Sequence, residues 1–316
     1  MTYQGNELIA AVVTRVVDEA TDVRSYEFSC EDGWPLPPHT AGSHLDILLP
    51  SGRTRQYSLC CDPIDRKSYR IAVLNSGESE GGSYEIHQQL RVGTPVGLSL
   101  PRNHFPLADL AARHVFIAGG IGITPFISMI PILERAGADW ELHYCIRSSD
   151  RAAFLGYLTS SQRARSVHLY VGNERRLDIG SLLAVRGETT HVYCCGPQAM
   201  VDEFVDQSSH WPEGTAHHER FGAVAPQSGT PAYSVKLGLS GQIVNVEAGQ
   251  NMLMALKGHG IPLKNGCEAG ICRICKVSYS SGTPTHRDYV LTPEERKTCL
   301  LPCVTFAPAG DLVLDL

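Results

Sequence analysis

The chain has 316 residues, room for two or three domains at about 100–200 residues each. Apolar residues make up 43% and charged residues 19%, the balance of a globular protein that buries real cores. The net charge of -6 argues against a nucleic-acid partner, whose phosphates attract basic surfaces.

The opening stretch MTYQGNELIAAVV carries neither a basic region nor a small-residue cleavage site. With 11 cysteines, an odd number, it points to a reduced, cytoplasmic setting. Residues 7–100 hold short β-rich runs (LIAAVVTRV, SYEFSC, HLDILL, RQYSLC, YRIAVL) separated by turn clusters such as EDGWPLPPH and SGESEGG. Many short strands with Gly/Pro turns predict a small antiparallel barrel. Within it, Arg55-Gln56-Tyr57-Ser58 carries readable chemistry. An arginine neutralises a phosphate through paired hydrogen bonds, a tyrosine ring stacks on a flat heterocycle, and a serine hydroxyl reaches a ring nitrogen. The pattern matches the R-x-Y-S motif of the ferredoxin-reductase-like flavin barrel. Gly81-Gly82-Ser83, ahead of a helix-like YEIHQQL, can offer N–H groups and a hydroxyl to the same phosphate.

Residues 113–205 change texture. Strands (HVFIAGG, WELHYCI, VHLYVG, THVYCCG) alternate with helix-like runs (ISMIPILERAG, RAAFLGYLTSSQ, PQAMVDEFV), predicting βαβ units and a doubly wound parallel sheet. The uncharged run at 115–133 has the length of a membrane span, but Gly119, Gly120, Gly122, Pro125 and Pro131 break it, so a buried strand, a glycine turn and a helix are expected and no membrane. That turn, GGIGITP, includes Gly120, Gly122 and Thr124 and brings a pyrophosphate to a helix N-terminus, although it is not a full G-x-G-x-x-G. Cys195-Gly196-Pro197 ends the last strand and matches the C-G-P motif of ferredoxin-reductase-like proteins, in which the thiol lies near the reacting nicotinamide carbon. Cys194 reads as a small buried hydrophobe. After the second strand, Asp150 can accept from a ribose hydroxyl, whereas Arg147 and Arg151 favour a 2′-phosphate. A solvated charged turn is the bland reading of the same residues.

Residues 222–231, GAVAPQSGTP, read as a linker. Beyond them come a hairpin about Ser240-Gly241, a helix NMLMALKGHG and a cysteine cluster. Cys267, Cys272 and Cys275 have the C-x4-C-x2-C spacing of a plant-type [2Fe–2S] site. The rival is structural zinc, which usually takes two C-x2-C knuckles. For the fourth ligand, spacing leaves both Cys299 and Cys303 open.

Taken together, RQYSLC, YRIAVL, GGSY, SLPRNHFPL, CCGP, HERFG and CEAGICRICKV…LPCVTFAPAGDLVLDL resemble the phthalate dioxygenase reductase family, vanillate O-demethylase reductase included, along essentially the whole chain. The resemblance implies a multidomain protein: an antiparallel β-barrel flavin domain at 1–106, an α/β doubly wound NAD-binding domain at 107–225 and an α+β β-grasp ferredoxin domain at 226–316. It implies FMN, NADH and a [2Fe–2S] cluster, with Cys303 as fourth ligand and Cys299 spare. Ala72 and Val73 join Arg55, Gln56, Tyr57, Ser58, Gly81, Gly82 and Ser83 around the flavin. Gly120, Gly122, Thr124, Arg147, Cys195, Gly196 and Pro197 serve the nicotinamide cofactor, and Phe221 covers the flavin. Ser58 and Cys195 are the expected catalytic pair. The family usually has C-G-x-C where this chain has Arg273, whose side chain must point outward.

The implied activity passes hydride from NADH to flavin and single electrons through the cluster to a terminal Rieske-type oxygenase. The protein itself is expected to be monomeric. The rivals are a self-contained NADH-dependent oxidoreductase acting on a small acceptor and a non-catalytic redox sensor.

Overall fold

The computed structural model describes the chain except residues 1, 4, 5, 76, 78–81, 109, 110, 173–175, 185, 186, 188, 222–229, 265–269, 271, 272 and 289. Gly81, most of the GAVAPQSGTP linker, Cys267 and Cys272 therefore lie outside the described residues. Contacts divide the chain into two compact units, Met1–Phe221 and Gly222–Leu316.

The first unit opens with the predicted barrel. Its strands are β1 (Ile9–Ala20), β2 (Val23–Cys30), β3 (His44–Leu48), β4 (Thr54–Ser58), β5 (Tyr69–Leu74) and β6 (Pro95–Leu98), with α1 (Gly82–Gln89) between the last two. They form one antiparallel sheet in the order β4-β3-β6-β1-β2-β5. A bridge from Leu59 to Ile71 joins the two ends. Closure removes the free edges that would otherwise invite pairing with other chains. Alternating residues fill the interior, with Tyr26, Phe28, Leu45, Ile47, Tyr69, Ile71 and Leu98 fully buried. Each such side chain contributes about 1.5–3 kcal/mol through burial.

The second half of this unit is a parallel sheet. Its elements are β7 (Arg113–Gly119), α2 (Thr124–Ala136), β8 (Asp139–Ile146), α3 (Leu155–Leu158), β9 (Val167–Val171), α4 (Ile179–Leu183), β10 (Thr190–Gly196), α5 (Gln198–Gln207) and β11 (Ala216–Arg220). The strand order is β9-β8-β7-β10-β11. The order reverses between β7 and β10, so a crevice opens at their carboxyl ends. After its first residue β7 is buried throughout, because both faces are covered. Phe116 and Ala118 pack with α2, while Val115 and Ile117 pack with α4 and α5.

Two elements differ from expectation. The run RAAFLGYLTSSQ gives only the four-residue α3. Phe154 sits in the left-handed region at φ 60°, so the chain turns there instead of coiling. The motif HERFG gives its first three residues to an edge strand, β11, in parallel register with β10.

Barrel and parallel sheet share a core. Val23, Ala41, Cys60, Ala72 and Phe105 pack in one cluster with Phe126, Met129 and Tyr193. Arg135 donates to both carboxylate oxygens of Asp62 at 2.6 and 2.8 Å, and Ser128 Oγ accepts from Gly42 N–H at 3.0 Å.

Among its described residues the second unit has a mixed five-stranded sheet and one α-helix. It comprises β12 (Tyr233–Leu237), β13 (Ile243–Val246), α6 (Met252–Gly258), β14 (Val277–Ser281), β15 (Cys299–Leu300) and β16 (Val313–Leu314) in the order β13-β12-β16-β14-β15. β12 and β16 pair in parallel and the other neighbours antiparallel, the β-grasp arrangement expected. Asn251 caps α6, its Oδ1 accepting from Met254 N–H at 2.8 Å. Among the described residues no helix is long and apolar enough to cross a membrane.

Candidate active site and cluster loop

A cavity of about 930 Å³ occupies the crevice at the strand-order reversal. Gly120, Gly122, Arg147, Gly196, Pro197 and Phe221 line it. The glycines are steric necessities. A Cβ on Gly122 would lie 2.2 Å from the Cys195 carbonyl oxygen, and one on Gly119 would lie 2.5 Å from Pro197 Cδ. The two loops thus meet backbone to backbone and form the floor. Thr124 and Cys195 stand behind it. Thr124 is buried and donates to the Ile121 carbonyl at 3.0 Å, so it fixes the turn and does not line the cavity. The volume and the mixture of glycine backbone, arginines and apolar walls suit a dinucleotide.

Beside this crevice three residues converge. Ser58 Oγ donates to Glu219 Oε2 at 3.5 Å, from β4 of the barrel to β11 of the parallel sheet. Glu219 sits directly opposite Cys195 in the β10–β11 register. Burial pushes the Glu219 carboxyl up to about 8, against the Ser58 hydrogen bond that lowers it. Burial, reinforced by Glu219 and Cys194, also raises the Cys195 thiol well above its ordinary range. Cys195 is therefore a neutral thiol and not a nucleophilic thiolate at physiological pH. The arrangement offers a hydroxyl and a carboxyl that holds or releases a proton near neutrality.

On the barrel, strand alternation sets Arg55 and Tyr57 on one face of β4 and Gln56 and Ser58 on the other. The Arg55 side chain lies across the start of α1. A Cβ on Gly82 would come within 2.4 Å of Arg55 Cγ and 2.6 Å of its Nε. A guanidinium laid on a helix N-terminus is a good seat for a phosphate, so these residues fit the expected flavin phosphate. Ser83 is in the first turn of that helix. Ala72 and Val73 are buried on β5, and the Val73 carbonyl is already 2.9 Å from His87 Nε2.

Arg151, Arg176, Tyr170 and Glu203 line the cavity along with Arg147. Arg151 is paired with Asp22 at 3.0 Å. Asp150 does not line the cavity. Its carboxylate is held below its ordinary range, chiefly by the Ser148 hydroxyl and then by Thr21, so it braces the loop against the barrel.

In the second unit, Cys275 and Cys303 are buried with their Sγ atoms 3.3 Å apart. Two thiols this close, without a disulfide, fit shared ligation of one metal. Cys299 is elsewhere, its Sγ 3.9 Å from Ser278 Oγ and 3.8 Å from Thr298 Oγ1. Arg273 has φ 61°, the left-handed conformation that favours the glycine usual at this position. Its guanidinium reaches the Val290 carbonyl at 2.8 Å and pairs with Glu295, so it points outward as expected.

The profile of the 2Fe-2S iron-sulfur cluster binding domain matches residues 236–308. Phthalate dioxygenase reductase of Burkholderia cepacia is 38% identical over 303 residues, 94% of each chain. A solved structure titled as phthalate dioxygenase reductase, a modular structure for electron transfer from pyridine nucleotides to [2Fe–2S], superposes with a TM-score of 0.80, at 36% identity and 98% coverage of both chains. The chain belongs to the phthalate dioxygenase reductase family. The heme-dependent oxidative N-demethylase beta subunit of Ectopseudomonas mendocina (strain ymp) is 41% identical over 296 residues, 93% of this chain and 94% of its own. The family comprises oxidoreductases that serve as reductase subunits of oxygenase and demethylase systems, combining flavin, nicotinamide and [2Fe–2S] domains. The barrel, the parallel sheet and the β-grasp sheet are those three modules.

Glu219 is the residue to which the motifs assigned no role. It stands inside HERFG, where Phe221 drew attention, and nothing in a polar pentapeptide announces a strand that buries a carboxyl. Arg176, Tyr170 and Glu203 likewise reach the cavity from three separate segments. Sequence spacing gives no signal for them.

Proposed function

We propose that this chain is the NADH-dependent reductase component of a Rieske-type oxygenase system, a cytoplasmic monomer using FMN and a [2Fe–2S] cluster. The domain bounds are taken as 1–106, 107–225 and 226–316. The observation that carries the reading is the meeting of Ser58 and Glu219 beside Cys195 at the edge of the dinucleotide-sized crevice. When bound, the flavin accepts two electrons as hydride and returns them singly, which a [2Fe–2S] cluster requires.

The chain's own residues position and insulate. Arg55, with Gly82 and Ser83 at the start of α1, anchors the FMN phosphate, a role Gly81 is proposed to share. Tyr57, Gln56, Ala72 and Val73 shape the ring site. Ser58 presents a hydroxyl to the reacting edge, and Glu219 holds the proton behind it. Gly120, Gly122, Gly196 and Pro197 bring backbone to the NADH pyrophosphate and ring, with Thr124 and Cys195 supporting them from behind. Arg147 faces the adenosine end, and Phe221 covers the flavin. Cys267, Cys272, Cys275 and Cys303 hold the cluster.

A second reading concerns the partner. A relative named as a subunit of a heme-dependent demethylase makes a heme oxygenase the alternative recipient. Anaerobic mixing with NADH, followed by addition of a purified Rieske oxygenase or a heme oxygenase from the same source, tests both. Reduction of the Rieske center at turnover rate is the expected result. Reduction of the heme protein alone transfers the assignment to the second reading, and reduction of neither, with full activity on a small acceptor, removes both.

A further inference from the structure

We infer that the nicotinamide sheet carries a zinc site, formed by Glu141, His143 and His168, that is wired to the dinucleotide cavity through Tyr170. Glu141 and His143 are two apart on β8, so they share a face. His168 sits opposite His143 in the β8–β9 register and projects from that same face. One ligand atom from each of the three lies within 4.8 Å of the others. Glu141 Oε1 is 3.5 Å from His143 Nε2, and Oε2 is 3.9 Å from His168 Nε2. Two imidazoles and a carboxylate are a donor set zinc favours, with a fourth position left for water.

The second observation is His143 itself. It is only 6% exposed, and its buried Nε2 meets Glu141 Oε1 at 3.5 Å, a long contact to an oxygen that Arg113 already engages at 3.0 Å. An imidazole nitrogen so poorly satisfied at this depth is costly, and a metal between it and the carboxylate would satisfy it. The outer contacts match a built site. His143 Nδ1 is 3.0 Å from Tyr170 Oη, and Arg113 donates to Glu141 Oε1 at 3.0 Å. Metal-binding imidazoles and carboxylates are held by such partners through their remaining atoms. Closing the ligand atoms onto one ion needs a shift of about 1 Å, judged from Zn–N bonds near 2.0 Å. His168, whose side chain is 39% exposed against 8% and 20% for His143 and Glu141, is the ligand that would make it.

The consequence reaches the cavity. Zinc on Nε2 fixes the proton on His143 Nδ1, which then donates to Tyr170 Oη. Tyr170 lines the cavity, two residues along β9 from His168. Zinc thereby orients one wall of the nucleotide pocket.

The test uses untagged protein fully loaded with flavin and iron. Equilibrium dialysis against buffered Zn²⁺, with zinc and iron counted by mass spectrometry, should find one zinc per chain at unchanged iron. His168→Ala and His143→Gln should each weaken zinc by about ten-fold or more, and Tyr170→Phe by about ten-fold, all with iron retained. If His143→Gln misfolds, the half-exposed His168→Ala decides the ligand question. Saturating zinc should change the wild-type KM for NADH about two-fold or more at nearly constant kcat, and should do nothing to His168→Ala. That kinetic arm rests on the cavity taking NADH, whereas the zinc counts do not. No zinc on the wild type, or equal affinity in His168→Ala, overturns the site. Zinc binding with an unmoved KM overturns its link to the cavity.

Discussion

Ser58 and Glu219, 161 residues apart, meet at 3.5 Å across the barrel and the parallel sheet. The contact joins a hydroxyl from the flavin module to a part-buried carboxyl whose desolvation raises it to about 8. Neither module alone contains the pair. The chemistry therefore depends on the shared core that fixes barrel and sheet in one unit.

Glu219 makes a stability prediction with a definite sign. Its carboxyl is raised from 4.5 to about 8 on folding. Between those pH values the unfolded chain has lost this proton and the folded chain keeps it, so this residue makes stability fall as pH rises and then level off above pH 8. Glu219→Gln removes that slope. Thermal melts of the two proteins should agree near pH 5 and diverge towards pH 8, with the Gln variant more stable by on the order of a few kcal/mol. Parallel melting curves across the range would show that Glu219 ionises normally. In NADH oxidation the variant should lose the pH-dependent limb near 8, because its amide neither holds nor releases a proton.

The fourth cluster ligand separates two nearby cysteines. Cys303→Ser should lose the iron–sulfur absorbance and half or more of the bound iron, since a hydroxyl is a poor ligand where a thiolate is needed. Cys299→Ser should keep both, because its thiol lies beside the Ser278 and Thr298 hydroxyls. Iron analysis and low-temperature EPR after dithionite decide the matter. The opposite pattern would make Cys299 the ligand and leave the Cys275–Cys303 contact without a role.

Gly122→Ala probes the floor of the crevice. The added methyl would stand 2.2 Å from the Cys195 carbonyl oxygen, a backbone atom that cannot step aside. Overpacking of this kind costs about 1–3 kcal/mol and displaces the loop. NADH oxidation should drop at least about ten-fold, the effect of about 1.4 kcal/mol on a barrier. Gly156→Ala, in α3 with nothing within 4 Å of the new Cβ, is the control and should leave both stability and rate near wild type. Equal behavior of the two variants would mean that the floor yields freely.

The parts of this protein legible in its sequence are those encoded locally. RQYS, CCGP and the C-x4-C-x2-C run each place their chemistry within a few residues, and the alternation of β7 through β10 with helices carries the parallel sheet. What stayed hidden is non-local or depends on burial. Glu219 becomes unusual only when β11 joins β10 and water is excluded. Phe154 looks helical in RAAFLGYL, yet the chain turns there at φ 60° between two buried alanines and α3. Arg273 was readable as a departure, and its backbone angle supplies the reason: glycine is usual there because φ is positive.

The boundary between the two units supports the last prediction. Every flavin and nicotinamide motif precedes Gly222 and every cluster cysteine follows it, and the chain divides by contacts at Phe221 and Gly222. Units with their own cores often fold alone, and the first has three of them, in the barrel and on both faces of the parallel sheet. A fragment ending at Phe221 should therefore fold, bind flavin and oxidise NADH with ferricyanide at a rate close to that of the full chain. Phe221 must be kept, because it lines the cavity and packs into the shared core. The same fragment should lose reduction of cytochrome c and of the oxygenase, since the cluster that hands on single electrons has gone with the second unit. Flavin content, read from the heat-released chromophore, establishes that the fragment is intact before rates are compared. A flavin-loaded fragment that still drives the oxygenase at the full rate would place the exit for electrons in the first unit and reverse the order of transfer proposed above.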